Sequence, residues 1–453
     1  MYSDKPREEC GVFGIFNHKD AVRITHKGIK GLQHRGEESW GEASCEGKVI
    51  YLYRRMGLIS SSPDIQGKSA IAHTRYSTAS TSDIKNAQPI VMADESTIIS
   101  ASDISRLESF SGNPIAGDHN GNLTGGLESI TQKGSDTRKL MRKIGNPPEK
   151  EVIDRIVEIL SSVRGAYSIL FLTPDMMIGA RDPFGYRPLS LGVLDGSYML
   201  SSETCAIKDV GGIFKRDISP GELIVITKEG LYSRFIGHEK KLCECIFEDV
   251  YLARPDSIVF GENLYDFKFN CGRQLARENP KDKKRADIVL AIPDAGIIPA
   301  FGYSKESGIP SVHAILRNHY TDVGRAFILP TQQEREEAIE NKLKVIEYLV
   351  YGKRVILVDD SMVSGTNAKS AIRKVKKAGA REIHVRAASP PYTNPCYWGV
   401  DTPSIERFIA YHKNNEQIAR ELGADSVAYL SLRGMLNQTS RPYDKCVKCF
   451  EGH

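Results

Sequence analysis

The chain has 453 residues, of which 40% are hydrophobic and 26% charged, and its formal net charge is +4. This length is enough for two or three domains, each with its own core. The low net charge argues against a nucleic-acid-binding protein. No apolar run reaches the roughly 20 residues that span a bilayer, and the N-terminus is too charged for a secretory signal. We therefore expect a cytoplasmic protein that binds neither nucleic acid nor membrane.

The pattern of predicted elements changes once along the chain. Residues 10 to 235 consist of short apolar segments broken by Gly and Pro, such as YSILFLTP, which predicts an antiparallel, strand-rich half. From about residue 285, segments such as KRVILVDDSMVSGTNAKSAIRKVKKAGAREIHVRAAS predict strand, loop, helix and strand. Such a βαβ unit implies a parallel sheet. The boundary between the halves is expected near residues 235 to 245, followed by a crossover and a helix.

The loop in VILVDDSMVSGTN suits a phosphorylated sugar. Small residues before a helix present backbone N–H groups and a helix N-terminus to one point, where a phosphate can bind. Asp359 and Asp360 can hold ribose hydroxyls or a Mg²⁺ ion that carries pyrophosphate oxygens. The alternative is an ordinary strand-to-helix turn in which the two acids cap a helix or face solvent. The whole segment resembles the diphosphoribose-binding loop of type I phosphoribosyltransferases, which implies binding by Ser361, Ser364, Gly365 and Thr366.

Five segments of the strand-rich half occur in a characteristic order: ECGVFGI, LQHRGEESWG, AIAHTRYSTASTSDIKNAQPI, AGDHNGNLTGG and RDPFGYRPLSLG. Together they resemble the N-terminal-nucleophile glutaminase domain of class II amidotransferases. A glutaminase joined to a type I phosphoribosyltransferase is similar to the amidophosphoribosyltransferase family. The resemblance implies an αββα sandwich followed by an α/β domain with a parallel sheet. The expected divisions are a propeptide (1–9), a glutaminase domain (10–235) and a transferase domain (245–453).

The resemblance also implies roles for individual residues of the glutaminase half. Removal of residues 1–9 would give Cys10 a free α-amine, so that one residue supplies both nucleophile and base. The resemblance further implies that Asn120 and Gly121 donate hydrogen bonds to the oxyanion and that Arg75 and Asp136 bind glutamine. It also implies that Arg35 lies close to the nucleophile. The alternative for Cys10 is a small buried side chain within a strand.

The family's reaction implies the partners of the second half. Ammonia released from glutamine would pass along an enclosed path and attack C1 of phosphoribosyl pyrophosphate, giving 5-phosphoribosylamine, the first step of purine synthesis. Mg²⁺ at Asp359 and Asp360 would neutralise the leaving pyrophosphate. The resemblance further implies inhibition by purine nucleotides and a homodimer or homotetramer.

Nine cysteines are spread unevenly along the chain, and Cys446 and Cys449 form a Cys-x-x-Cys pair. By spacing alone this pair could be redox-active, bind zinc or be incidental. The resemblance adds Cys245 and Cys396, and four thiolates suit a [4Fe–4S] cluster, with zinc as the alternative metal. Cys45, Cys205 and Cys271 are expected to be ordinary buried thiols, and Cys243 is a further candidate ligand.

Some positions differ from the family pattern, mainly in the transferase half. Ala295 stands where a hydroxyl is expected, Ser364 replaces an Arg, the loop RNHYTDVGR has two extra residues, and Glu340 replaces another Arg. These changes leave two alternatives open. One is a divergent paralogue that keeps the glutaminase or nucleotide binding but has weakened or lost phosphoribosyl transfer. The other is a nucleotide-responsive regulatory protein without enzymatic activity.

Overall fold

The computed structural model describes residues 10–76, 83–92, 98–99, 108–110, 113–130, 134–145, 151–237, 241–318, 343–400, 402 and 404–451. The expected propeptide, most of the RNHYTDVGR loop and Glu340 lie outside these residues.

Antiparallel strands dominate the first half, as the sequence predicted. They are β1 (Gly11–Ile15), β2 (Ser39–Glu46), β3 (Val49–Met56), β4 (Ser69–Arg75), β5 (Ile90–Met92), β6 (Ile98–Ile99), β7 (Glu108–Phe110), β8 (Ile115–Gly125), β9 (Arg164–Leu172), β10 (Met176–Arg181), β11 (Ser190–Leu194), β12 (Ser197–Ser201), β13 (Ile213–Asp217), β14 (Glu222–Thr227) and β15 (Gly230–Phe235). One sheet has the order β13-β11-β12-β1-β4-β2-β3-β7, and the other has the order β15-β14-β10-β9-β8-β5-β6.

Helices cover the outer face of each sheet. They are α1 (Ala21–Gly31), α2 (Asp136–Gly145), α3 (Val152–Ser162) and α4 (Thr204–Asp209). Val12 packs in the apolar layer between the sheets, whereas Phe13 belongs to the layer beneath α1 and α4. Leu140 of α2 and Ile156 of α3 pack on the second sheet. The predicted αββα sandwich is therefore confirmed. Because β1 is covered on both faces, its sequence is continuously apolar rather than alternating.

A parallel sheet forms the centre of the second half, also as predicted. Its order is β19-β22-β23-β24. The strands of this half are β16 (Glu244–Cys245), β17 (Ile258–Val259), β18 (Glu262–Asn263), β19 (Ile288–Ala291), β20 (Ile315–Arg317), β21 (Leu343–Val345), β22 (Arg354–Asp359), β23 (Glu382–Ala387), β24 (Ser426–Tyr429) and β25 (Lys445–Cys446). The helices are α5 (Leu264–Glu278), α6 (Asp282–Arg285), α7 (Ile297–Ser307), α8 (Glu347–Val350), α9 (Thr366–Lys377), α10 (Asn415–Leu422), α11 (Leu432–Leu436) and α12 (Lys448–Glu451).

Both faces of the parallel sheet are buried. Phe267 of α5 and Tyr303 of α7 pack on one face, and Ile372 of α9 and Ile418 of α10 pack on the other. The βαβ unit predicted from KRVILVDD onward is β22, α9 and β23. Its helix begins at Thr366, because Gly365 adopts a left-handed conformation (φ 76°) that turns the chain into the helix.

The two halves meet along the segment that follows residue 241. The backbone N–H groups of Cys243 and Cys245 donate to the carbonyls of Phe184 and Tyr186 in the sandwich. On its other side β16 pairs in parallel with β25, near the C-terminus. This segment therefore contacts both the sandwich and the C-terminal residues. No helix in the described parts of the chain combines the length and hydropathy needed to cross a bilayer.

Candidate functional site

Cys10 lies at the first described position, immediately before β1. Gly11 pairs with Thr74 of the antiparallel strand β4, which brings Cys10 level with Arg75. The main-chain carbonyl of Cys10 accepts a hydrogen bond from Nε of Arg35 at 3.1 Å. Arg35 is almost completely buried. The structure thus brings together the predicted residues Cys10, Arg35 and Arg75. Cys10 itself is only half-buried.

Asn120 and Gly121 lie on β8, which packs across β1 and β4. The Asn120 side chain is fully buried, and neither its amide nitrogen nor its amide oxygen has a hydrogen-bond partner among the described residues. Gly121 has φ 135°, and a Cβ atom there would lie 2.0 Å from the carbonyl oxygen of Ala166. Only glycine fits at this position, and the main chain of Gly121 therefore lies close to that of Ala166 on β9. An unpaired buried amide is costly unless a ligand satisfies it.

The two predicted glutamine ligands flank this strand. Asp136 begins α2, and its carboxylate accepts hydrogen bonds from the N–H groups of Leu123 at 3.1 Å and Thr137 at 2.8 Å. Arg75 is buried and lies 3.3 Å from the carboxylate of Glu38. Asp136 is therefore held against the strand that carries Asn120, and Arg75 is held at the end of β4.

Two buried histidines, His73 of β4 and His119 of β8, are unsuited to act as bases. His73 Nε2 donates to the carbonyl of His119 at 3.1 Å, and burial lowers the pKa of His73 to about 3. Burial also lowers the pKa of His119. An imidazole held neutral by burial accepts a proton poorly at neutral pH. The free α-amine expected on Cys10 remains the better candidate.

The second cluster of predicted residues lies at the carboxyl end of β22. Asp359 and Asp360 are buried, and each accepts a hydrogen bond from the N–H of the following residue. The Ser361 hydroxyl is buried and has no hydrogen-bond partner among the described residues. The Ser364 and Thr366 hydroxyls lie 3.3 Å apart at the start of α9, and the N-cap residue of this helix is Gly365, which has no side chain to cap it. The carboxylates and hydroxyls of these residues therefore lie between the end of β22 and the start of α9.

The neighbouring strand β19 ends at the same edge of the sheet and leads into PDAG. A Cβ atom on Gly296 would lie 2.6 Å from the carbonyl oxygen of Val358 and 3.1 Å from Cα of Asp359. This turn therefore packs against the end of β22. Asp294 forms an ion pair with Arg317, and the intervening Ala295 offers no side-chain oxygen.

The four predicted metal-binding cysteines gather at the junction of the halves. Cys245 and Cys446 are paired residues of β16 and β25. Burial, and then the neighbouring thiols of Cys396 and Cys446, raise the pKa of Cys449, and burial raises the pKa of Cys446 to about 11. Across the described ranges, no three His, Cys, Asp or Glu side chains have the arrangement of a metal site. The donor set suits a thiolate-bound centre, but its ligand geometry is not formed.

Comparison with known proteins supports the predicted family. No protein-family model matches the chain. An amidophosphoribosyltransferase of a Synechocystis species is 40% identical, with 100% of this chain and 92% of that protein covered. The Bacillus subtilis amidophosphoribosyltransferase is 37% identical, with 98% and 94% covered. The chain belongs to the amidophosphoribosyltransferase family. It is therefore an enzyme, and the family catalyses the first step of purine biosynthesis.

Two solved structures share the fold of this family member. One is the glutamine phosphoribosylpyrophosphate amidotransferase of Bacillus subtilis complexed with ADP and GMP. The match covers 98% of this chain and 97% of the Bacillus subtilis chain, at 36% identity and a TM-score of 0.87. The other is described as the allosteric regulatory enzyme of purine biosynthesis, with the same identity and TM-score and with 98% and 96% covered. The sandwich followed by a parallel α/β half is thus the amidophosphoribosyltransferase fold.

Two buried carboxylates next to Arg35 were not found from the sequence. Glu203 and Glu248 both lie 2.7 Å from the guanidinium of Arg35, and both are fully buried. Burial alone would raise the pKa of Glu203, but His34 and Arg35 hold it well below its usual range. Neither glutamate belongs to the segments that carried the glutaminase resemblance, and no local pattern marks either of them as a partner of Arg35.

Proposed function

We propose that the chain converts glutamine, water and phosphoribosyl pyrophosphate into 5-phosphoribosylamine, glutamate and pyrophosphate. The observation that carries this proposal is Asn120, whose buried amide has no hydrogen-bond partner in the described structure and lies on the strand that packs across β1. Such an amide is available to a charge that develops during a reaction. The family assignment supports the same conclusion.

In the glutaminase half, removal of residues 1–9 would leave Cys10 with a free α-amine whose reference pKa is about 8. The amine takes the thiol proton, and sulfur attacks the side-chain amide carbon of glutamine. Asn120 Nδ2 and the Gly121 N–H would donate to the resulting oxyanion. The C–N bond then breaks, the α-amine returns the proton to the leaving ammonia, and water hydrolyses the thioester to glutamate.

Arg75 and Asp136 would hold the ends of the substrate. Arg75 lies level with Cys10 and would pair with the α-carboxylate of glutamine, in competition with Glu38. Asp136 is partly exposed and would accept hydrogen bonds from the α-amine. Arg35 has a different role, because its guanidinium is occupied by protein groups and it contacts Cys10 through the main chain.

In the transferase half, Asp359 and Asp360 would hold ribose hydroxyls. Ser361, Ser364, Gly365 and Thr366, with the first turn of α9, would hold the 5-phosphate. Ammonia attacks C1, the bond from C1 to the pyrophosphate oxygen breaks, and the nitrogen loses a proton. Mg²⁺ bound at Asp359 and Asp360 would supply positive charge for the leaving pyrophosphate. The oxygen donors at this strand end suit that ion.

A small, partly open cavity lies beside the proposed transferase site, where a route for ammonia would end. Its volume is about 10 Å³, enough for one water-sized molecule, and Val250, Lys268 and Asp360 are among its lining residues. Val250 belongs to the wide helical turn Glu248–Leu252, whose first residue contacts Arg35. One turn therefore lies next to both proposed sites.

The gathered cysteines support a structural metal centre. We propose that Cys245, Cys396, Cys446 and Cys449 ligate a [4Fe–4S] cluster, with zinc as the alternative, after small side-chain movements complete the ligand geometry. The proposed reaction transfers no electrons, so the centre would stabilise the junction. We further propose purine nucleotides as inhibitors, a homodimer or homotetramer, and a cytoplasmic location.

The experiment follows both products separately. Purified protein, handled anaerobically, is incubated with glutamine and Mg²⁺ in the presence or absence of phosphoribosyl pyrophosphate, and glutamate and pyrophosphate are quantified. Equal amounts of the two products are expected. Glutamate alone would instead indicate the divergent paralogue, in which Ala295 and Ser364 weaken the phosphoribosyl pyrophosphate site. The absence of both products would contradict the enzymatic proposal. Intact mass must show Cys10 as the N-terminal residue.

A further inference from the structure

Glu248 lies outside the sandwich, yet its carboxylate fixes a residue of the glutaminase site. It accepts hydrogen bonds from both terminal nitrogens of Arg35, at 2.7 Å and 3.0 Å. Such a bidentate pair fixes the plane of the guanidinium. The remaining nitrogen of the same group, Nε, donates to the carbonyl of Cys10. Glu203 also accepts a hydrogen bond from Nη1 at 2.7 Å, so the direction of the bond to Cys10 depends on Glu248 together with Glu203.

The same turn is tied to the C-terminal cysteine segment. Asp249 follows Glu248, is fully buried, and lies 2.6 Å from Nζ of the equally buried Lys445. Lys445 precedes Cys446 on β25. If β25 moved away, Asp249 would be left as a buried charge without this partner, which is strongly unfavourable.

A second connection leads from Glu248 to the other cysteine segment. Nη1 of Arg187 lies 3.5 Å from the Glu248 carboxylate, and both side chains are fully buried. Nη2 of the same residue donates to the carbonyl of Trp398 at 2.6 Å. Trp398 lies two residues after Cys396. Glu248 therefore contacts Arg35, the hydrogen-bond partner of Cys10, on one side. On the other side it is connected through Arg187 to the segment that contains Cys396.

We propose that Glu248 is a positioning residue for glutamine hydrolysis, which aligns Cys10 through Arg35 only while the two cysteine segments are docked. This inference rests on the proposed role of Cys10 as nucleophile. The Glu248 carboxylate is engaged by Arg35 and Arg187, and neither of these two residues is proposed to bind glutamine. Its loss should therefore slow the chemical step rather than weaken substrate binding. The glutaminase half is, on this view, completed by residues of the transferase half.

The test compares Glu248→Gln with Glu306→Gln in the full-length, metal-loaded protein. Glu306→Gln is a matched control, because Glu306 pairs with Arg273 and Arg277 at the surface of the transferase half. Glutamate release is measured to give kcat and KM, and product formation is measured again with ammonium chloride in place of glutamine. We expect Glu248→Gln to lower the glutaminase kcat roughly tenfold to hundredfold, the cost of a small misplacement. KM for glutamine and the ammonia-dependent rate should stay near those of the unsubstituted protein.

Further variants separate positioning from a general loss of folding. Glu248→Asp keeps the charge and should recover part of kcat, and Asp249→Asn should lower kcat in the same direction. Unchanged glutamate release in Glu248→Gln would overturn the inference, as would an equal fall in the glutamine- and ammonia-dependent rates. Cys10→Ala tells the two proposals apart: if this variant still releases glutamate, the proposed mechanism itself fails. If Cys10→Ala is inactive while Glu248→Gln is fully active, only the positioning role fails.

Discussion

The guanidinium of Arg187 donates a hydrogen bond to the carbonyl of Trp398 at 2.6 Å, and so joins the sandwich to the segment that contains Cys396. The adjoining residues pack directly on β8, the strand that contains Asn120 and Gly121. The Asn122 amide donates to the carbonyl of Tyr397 at 2.9 Å. A Cβ atom on Gly399 would lie 3.1 Å from the carbonyl carbon of Gly121. The position of Gly121 therefore depends on a segment of the other half.

Substitution of Gly399 should disturb glutamine hydrolysis. Gly399 has φ 110°, and a new methyl group would press on the main chain of Gly121. Gly399→Ala should therefore lower the rate of glutamate release at saturating glutamine by about tenfold or more. Gly352→Ala is the control, because Gly352 also has a positive φ (69°) but open space around it. Gly352→Ala should lose on the order of 1 kcal/mol of unfolding free energy, and Gly399→Ala should lose more, because the close contact adds to the backbone strain. Equal glutamate release by the two variants would contradict the proposed contact.

Cys10 should be the most reactive of the thiols in the sandwich. Burial raises the pKa of Cys45 to about 11 and raises that of Cys205 further. Only the thiolate is alkylated quickly, so buried thiols with raised pKa values react slowly. Brief iodoacetamide treatment at pH 7.5, followed by peptide mass spectrometry, should label Cys10 first and abolish glutamate release. Prior incubation with glutamine should slow the labelling. Labelling of Cys45 before Cys10 would contradict this assignment.

His73 should make the fold less stable as the pH falls. Its pKa is about 3 in the folded protein and 6.5 in a model peptide, because burial disfavours the charged form. Between these values the unfolded chain binds the extra proton. The unfolding free energy should therefore fall as the pH drops below about 6.5, by at most ~1.4 kcal/mol per pH unit.

Urea denaturation at pH 7, 6 and 5 measures this dependence. His73→Gln keeps a donor for the His119 carbonyl but removes the titration, so its pH dependence should be flatter. His313→Gln, at an exposed position, should keep the original slope. A variant at position 73 with an unchanged slope would show that other groups control acid stability.

Short-range patterns carried most of what the sequence predicted. The apolar run before Asp359 and Asp360 defined β22, and the small residues after it defined the turn into α9. These features depend on neighbours in the chain, so a single sequence is enough to find them. The family resemblance then placed Cys10, Arg35 and Asn120 in one site, which periodicity alone could not do.

The residues that the sequence did not reveal act over long separations. Glu203 and Glu248 are 168 and 213 positions from Arg35, and they reach it only because the sandwich and the junction fold together. Nothing in the segments around either glutamate indicates a buried ion pair. That Arg35 pairs with these two glutamates is evident only from the folded structure, which buries all three side chains together, since buried charges must be paired.

Ala295 offers a test of the acceptor site. It lies in the turn that packs against the end of β22, where a hydroxyl would add an oxygen donor near Asp359. Ala295→Ser should therefore lower the KM for phosphoribosyl pyrophosphate a few-fold in the presence of Mg²⁺, because a typical hydrogen bond has a net worth of about 0.5–1.5 kcal/mol. Glutamate release without phosphoribosyl pyrophosphate should not change. An unchanged KM would show that this position does not face the bound ligand.

The metal centre can be tested by substitution of a single ligand. Anaerobically purified protein should contain about four iron atoms and sulfide in equal amount per chain, as expected for a [4Fe–4S] cluster. Cys446→Ser should lose this iron and lower the melting temperature, because β25 then has less to hold it against β16. Cys45→Ser, at a buried thiol of the sandwich, should keep its iron. About one zinc per chain would favour the alternative metal. A folded protein that holds neither metal would contradict the proposed role of these four cysteines.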